Sequence, residues 1–251
     1  MIQRAKPLFI IGIAFAALFA AATGAWAQDA AVASENGLSA RVVQLFLLVT
    51  VLSLAPGIAM MITCLPFMVI VFSILRQAIG LQQSPPNMLI MSLALFLTYF
   101  VMEPVFAESW RSGIEPLLND SITEEQAFQR TLAPFETFMQ SRVSPVAIDA
   151  LADVAPDRIV EQSGANPASN APLSILVPAF MLSEIQHAFQ IGFVIFLPFL
   201  IIDLIVASVL MAMGMMMVPP AIVSLPFKLA FFVLANGWIE IAGAVVKGYG
   251  V

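Results

Sequence analysis

Leu197-Pro-Phe-Leu-Ile-Ile-Asp203-Leu-Ile-Val-Ala-Ser-Val-Leu-Met211-Ala-Met213-Gly-Met215-Met216-Met217-Val-Pro219-Pro220 carries one ionisable side chain, Asp203, in a helix-length apolar run closed by two prolines. The rest of the chain has the same character. Of its 251 residues 61% are hydrophobic and 10% charged, and its mean hydropathy is +0.97. A soluble domain carries about 25% charged residues, so this chain lacks the polar atoms to cover a water-facing surface. Histidine and cysteine each occur once, which excludes a disulfide framework and a Cys/His zinc cluster. Ten basic residues against sixteen acidic ones argue against nucleic acid as a partner. The composition is that of an integral membrane protein.

Working outward, charge divides the chain into blocks. Residues 41–102 hold only Arg41 and Arg76, and residues 173–251 hold Glu184, Asp203 and Glu240 against Lys228 and Lys247. Between them, residues 103–172 hold eleven acids against four arginines, an acidic, water-soluble insert. Helix-length apolar runs lie near 58–79 and 88–106, then near 190–213 and 222–246. Short connections join each pair, around Gly80 to Asn87 and Gly214 to Pro220, so each pair is predicted to be an antiparallel helical hairpin. The hairpins echo one another: Leu65-Pro66-Phe67 precedes Pro85-Pro86 as Leu197-Pro198-Phe199 precedes Pro219-Pro220. This is either a chance match of prolines in apolar sequence or a parallel repeat with both halves oriented alike. Pro66, Pro198, Pro219, Pro220 and Pro226 are the expected helix breaks.

At the N-terminus, Arg4 and Lys6 precede an apolar run of about 15 residues, and Ala25-Trp26-Ala27 offers an A-x-A cleavage site. A bilayer requires roughly 20 residues, so residues 1–27 read as a cleavable signal peptide, with an uncleaved first span as the alternative. A cleaved signal makes each hairpin out-in-out and puts Arg76 and Lys228 inside, in keeping with the positive-inside bias. In the insert, Thr123 followed by Glu124, Glu125 and Gln126 marks a helix start. Phe128, Leu132, Phe135 and Met139 then share a face, and Pro134 is expected to kink or interrupt it. Ser144-Pro145 suits a second helix start, and residues 162–172 have linker composition.

Enzymatic motifs are missing: no H-E-x-x-H, G-x-S-x-G, P-loop or G-x-G-x-x-G pattern occurs. His187 has no second ligand at metal spacing, and Cys64 reads as a buried small hydrophobe. Charges inside the apolar blocks say more, because each costs at least about 2.5–3.5 kcal/mol at mid-bilayer. Lys228, in Leu225-Pro-Phe-Lys-Leu-Ala-Phe-Phe232, should seek a carboxylate within the chain or on a neighbouring subunit. Glu184 is the favoured partner over Asp203, and snorkelling to the lipid interface is the alternative. Five of the seven residues from Met211 to Met217 are methionine. Such deformable side chains at a hairpin tip can seal a pore yet yield to varied shapes, and apolar constrictions block ions by dewetting. Ordinary core or lipid-facing packing is the competing reading.

Two segments carry a resemblance. Pro178-Ala-Phe180-Met-Leu-Ser-Glu184-Ile-Gln-His-Ala-Phe189-Gln-Ile-Gly192-Phe resembles one signature of the FliP family of flagellar export-gate proteins, called SctR in injectisomes. Pro226-Phe-Lys228-Leu-Ala-Phe-Phe-Val-Leu-Ala-Asn236-Gly237-Trp238 resembles its second signature. The signal and sizeable insert look like the flagellar branch. The resemblance implies several copies assembled with FliQ and FliR proteins into a helical export-gate complex at the inner membrane, with no cofactor. It also implies that Met211, Met213, Met215, Met216 and Met217 form a gate constriction and that Glu184 and Lys228 form an inter-subunit salt bridge.

The expected fold is therefore an all-α integral membrane protein with two helical hairpins flanking a small helical periplasmic insert. Its divisions are a signal peptide at 1–27, an N-terminal segment and first hairpin at 28–106, the acidic insert at 107–172 and the methionine-tipped hairpin at 173–251. The expected function is a non-enzymatic subunit of a channel passing unfolded flagellar proteins. Alternatives are an injectisome gate subunit or a small-solute secondary transporter built on proline-broken helices. Against the transporter, the apolar blocks hold no cluster of polar groups around a midplane cavity.

Overall fold

A computed structural model describes residues 35–81, 84–156, 171–215 and 217–250. The signal peptide and most of the 162–172 linker lie outside the described residues. Every regular element among the described residues is helical. They are α1 (Glu35–Met61), α2 (Leu65–Ile79), α3 (Asn87–Ser109), a π-helical turn (Trp110–Ile114), α4 (Glu115–Leu118), α5 (Glu124–Arg142), α6 (Pro145–Ala152), α7 (Leu173–Ala212), α8 (Pro220–Leu234) and α9 (Gly237–Lys247).

The chain divides into two compact units, residues 1–55 and 56–251. The described part of the first is helical, and it exposes Val42, Phe46, Val49 and Leu52. Thr50 and Ser53 return their hydroxyls to the carbonyls of Phe46 and Thr50, which satisfies both groups in an apolar surrounding.

The apolar run near 58–79 is not one helix. Thr63 donates its hydroxyl to the Ala59 carbonyl and accepts from the Leu65 amide, and Pro66 disfavours helical geometry just before itself. The chain therefore turns at residues 62–64 and restarts with Pro66 in the first turn of α2. With 15 residues, α2 is about 22 Å long, short of the roughly 30 Å hydrocarbon core. The helices with the length and composition to cross a bilayer are instead Arg41–Met61, Asn87–Leu118 and Leu173–Ala212. The α8–α9 pair, bent by 61° at its break, makes a fourth if taken as one span. The segment 41–61 is thus an apolar helix that the hairpin reading passes over, and α3 runs on through the π-helical turn into the acidic segment without a loop.

Within the second unit, α2 packs on α7 and on α3, and α8 packs on α7. The buried side chains of Phe67, Met68, Val71, Phe72 and Leu75 line α2 and meet Ala94, Met102, Ala188 and Phe199. Gly192 permits the approach of α2 to α7, since a Cβ there would overlap the Ile74 side chain. The two helices run in the same direction: Phe67 shares a cleft with His187 and Ile191, Ile74 meets Gly192, and the Ala78 carbonyl reaches the Lys228 that holds Asp203.

The helices α2 and α7 end alike. Gly80 and Gly214 adopt positive φ, 90° and 76°. The following amides, Leu81 and Met215, bond back to the Arg76 and Leu210 carbonyls, while the glycine amides bond to Gln77 and Met211. This is the Schellman arrangement. Pro86 and Pro219 then cap the next helices. The proline pair at 219–220 therefore starts α8 and does not terminate α7.

The other proline expectations are corrected in the same way. Pro198 and Pro226 lie inside unbroken helices, as do Pro178 and Pro134. A proline removes one intrahelical bond, but neighbouring packed helices hold the axis. In the insert, Thr123 caps α5 by accepting from the Gln126 amide. Most of the expected face packs: Met139 is buried and Phe135 meets Phe106 edge-on at 5.8 Å. At its start Phe128 is exposed and Ala127 is buried instead, because Gly113 on the π-helical turn lies against Ala127 and Thr131.

Candidate gate and its charge clamps

The turn between α7 and α8 carries the methionines. Met211, Met213, Met215 and Met217 are all exposed, and Met216 lies outside the described residues. Among the described residues these side chains stand exposed, and the Gly214 and Met215 amides bond back to the Met211 and Leu210 carbonyls.

Below the turn sits the first clamp. The Lys228 ammonium, nearly buried on α8, donates to Asp203 Oδ2 on α7 at 2.5 Å and to the Ala78 carbonyl at the end of α2 at 3.2 Å. Ser224, one turn before Lys228, donates to Asp203 Oδ1 at 2.5 Å. Three helices thus meet on one charge pair. An ammonium in so apolar a setting is tolerable only when paired and hydrogen-bonded.

A second clamp occupies the other end of α7. Glu184 is fully buried. Its Oε1 accepts from Arg142 Nε at 3.2 Å, and its Oε2 accepts from the Tyr249 hydroxyl. Arg142 also donates to the Gly248 carbonyl at 3.1 Å and stacks on the Tyr249 ring, 4.1 Å from its centroid. The insert, α7 and the end of α9 are joined there. Burial and the adjacent carboxylate push the Tyr249 phenol well above its usual range, so it remains a donor.

Within this chain Lys228 therefore pairs with Asp203, and Glu184 with Arg142, in place of the expected Lys228–Glu184 pair. The reason is distance along one helix. Glu184 and Asp203 are both on α7, and 19 residues of helix separate them by about 28 Å. Lys228, opposite Asp203, cannot reach Glu184 of its own chain. The sequence reading does not single out Arg142, Ser224 or Tyr249. The one signal available was that Glu184 needed a cation and that Arg142 closes α5 in its last turn.

The remaining motif positions have structural places. Phe180 is fully buried, edge-on to Phe138 at 5.8 Å. Phe189 points outward and is exposed. Gly237 lies against the Phe232 ring where a Cβ would overlap, and Trp238 meets the same ring edge-on at 5.5 Å. Asn236, at φ 49°, makes the bend between α8 and α9. His187 lines a cleft of about 190 Å³ with Arg142, Gln190 and Tyr249. Cys64 is buried, and burial pushes its thiol up to about 12, which leaves it protonated and unreactive. Among the described residues no group of three or more His, Cys, Asp or Glu could hold a metal ion.

A chain whose described regular elements are all helical, with three bilayer-length apolar helices among the described residues and a charge clamp toward each end of the longest, belongs to the class of membrane-spanning helical proteins. The family model described as the FliP family matches residues 48–245, and the chain belongs to that family. A flagellar biosynthetic protein FliP from Caulobacter vibrioides is 47% identical over 249 residues, 99% of this chain and 92% of the relative. One from Agrobacterium fabrum is 47% identical over 217 residues, 86% of each chain. One from Bacillus subtilis is 42% identical over 207 residues, 82% of this chain and 91% of the relative.

Proposed function

We propose that this chain is a structural and gating subunit of the flagellar type III protein export gate. The relatives' shared designation as flagellar biosynthetic proteins supports the flagellar reading over an injectisome role. Copies of the chain, with FliQ and FliR proteins, surround a channel in the inner membrane, and unfolded flagellar proteins pass through it. The acidic insert lies in the periplasm. Pairing of Glu184 in one copy with Lys228 in the next exchanges the partners each has within the chain, Arg142 and Tyr249 for Glu184 and Asp203 for Lys228. Energy comes from other components of the apparatus.

The observation that carries the gating reading is the methionine turn. Asp203 marks the level of the first clamp and of the end of α2. From there α7 runs nine residues to its end at Ala212, about 13 Å by helix rise, and four exposed methionines crown it. A ring of such turns closes a pore with unbranched, deformable side chains. At rest it excludes ions by dewetting, and in transit it yields around polypeptide.

Replacing Met215, Met216 and Met217 by serine leaves assembly intact and makes the membrane permeable to small ions. Ion flux into cells carrying the variant apparatus measures this. Unchanged conductance with normal assembly would remove the sealing role. Deleting the gene abolishes secretion of flagellar hook and filament proteins into the medium while Sec-dependent export continues, and normal flagellar secretion would count against the export reading itself.

A further inference from the structure

Pro134 leaves a gap in the bonding of α5, and another helix fills it. Proline has no amide hydrogen, so the Arg130 carbonyl, four residues before Pro134, loses its donor within the helix. Ser112 Oγ, on the π-helical turn that follows α3, donates to that carbonyl at 3.1 Å and shares its hydrogen with the Glu108 carbonyl of its own helix at 2.8 Å. The next carbonyl of α5, that of Thr131, accepts from the buried Ser109 Oγ at 2.6 Å. Gly113 completes the contact: a Cβ there would come within 2.8 Å of the Thr131 amide nitrogen and 3.0 Å of the Ala127 carbonyl. Ser109, Ser112 and Gly113 stand at i, i+3 and i+4, the spacing of one helix face.

The far end of α5 makes the contacts that depend on this joint. Arg142 closes the helix and donates to Glu184 and to the Gly248 carbonyl. Just beyond it, the Ser144 amide donates to Ser183 Oγ of α7 at 2.9 Å, and that hydroxyl passes its own hydrogen to the Ala179 carbonyl at 2.8 Å. Thr131 and Arg142 are about 16 Å apart along the helix axis. A tilt of about 10° at Thr131 therefore moves the Arg142 end by about 3 Å. A hydrogen bond does not survive such a displacement, so the angle fixed at the joint decides whether α5 meets α7.

We propose that Ser112 is a positioning residue for the Glu184 clamp: by taking the carbonyl that Pro134 frees, with Ser109 beside it, it sets the angle at which α5 leaves the span and so holds Arg142 and Ser144 against α7. The proline is half of the device, because an unbroken helix would keep the Arg130 carbonyl for itself. Gly113 is its floor, since any side chain there would push α5 away. The joint makes α5 a strut between the end of α3 and the clamp on α7. These contacts lie within one chain, and the inference does not depend on the export reading.

The test follows hydrogen exchange at the Ser144 amide in the detergent-purified full chain. Ser183 of α7 protects that amide, so it reports where the end of α5 sits, and the Leu75 amide, in α2, is the reference for global unfolding. Ser112→Ala is expected to speed exchange at Ser144 about three- to tenfold relative to Leu75, the worth of one hydrogen bond. Ser112→Thr keeps the hydroxyl and should stay within about twofold of the native rate. In a Pro134→Ala background the restored amide serves the Arg130 carbonyl, and adding Ser112→Ala should change the Ser144 rate by less than about twofold. An unchanged Ser144 rate in Ser112→Ala overturns the proposal, as does an equal rise at Leu75. Equal acceleration with and without Pro134 also overturns it, since Ser112 would then act through general packing and not through the freed carbonyl. So does acceleration by Ser112→Thr as large as by Ser112→Ala, which would show that the hydroxyl is not the acting group.

Discussion

The two turns of the second unit share one backbone device and differ in everything attached to it. Each helix ends on a positive-φ glycine in a Schellman arrangement, at Gly80 and Gly214. Each glycine stands five residues before a proline pair that starts the next helix. In the first turn Arg76 donates to the Asn87 side chain and to the Pro85 carbonyl, and Leu225 of α8 stands against Gly80. In the second turn no side chain bonds across the gap among the described residues; methionines project instead. The echo of Leu-Pro-Phe and Pro-Pro in sequence thus corresponds to two turns pointing the same way, one stapled and packed, the other left free. A turn already closed by its backbone needs no side chains for stability, so those side chains are available for a seal.

That contrast can be strained at its common support. Lys228→Met removes the strap that ties the end of α2 to α7, leaving Asp203 and the Ala78 carbonyl without their cation. We expect a loss of about 2–4 kcal/mol, toward the low end of a broken buried pair because Asp203 is partly exposed. Thermal unfolding of the detergent-purified chain measures it. A smaller loss on Ser224→Ala, at the same site, would show that the ammonium and not the hydroxyl dominates.

A valine at Gly80 or Gly214 tests whether the backbone device is the same in both turns. Each forces a β-branched residue into left-handed geometry, costing about 1–2 kcal/mol. Equal destabilisation supports the equivalence. Because a Cβ at Gly214 meets open space and one at Gly80 meets Leu225 at 3.5 Å, a much larger cost at Gly214 would break it.

The smallest effect belongs to the staple. Arg76→Ala should cost about 0.5–1.5 kcal/mol and speed hydrogen exchange at the first amides of α3, with no change in ion flux. A leak from this variant would mean that the first turn also belongs to the seal.

Much of this was readable in the residues. Thr123 before two glutamates starts α5, the methionine run marks the second turn, and the absence of polar surface sets the membrane class, because caps, turns and hydropathy act over a few residues. The break at residues 62–64 was less visible, since Thr63 and Cys64 interrupt the apolar run only weakly. Pro198 and Pro226 misled in the opposite direction. A proline's local cost is plain in sequence, but whether a helix continues through it depends on what packs beside it.

The charge partners show where sequence ends. Composition by itself determined that Lys228 and Glu184 each required a counter-charge, because neither is tolerable unpaired in an apolar setting. Only the tertiary structure decided that within the chain Lys228 takes Asp203 and Glu184 takes Arg142 and Tyr249. Those partners lie 25, 42 and 65 residues away along the chain. What brings them together is the packing of α5, α8 and the end of α9 against the opposite ends of one 40-residue helix, and that packing is a property of whole faces that no local spacing records.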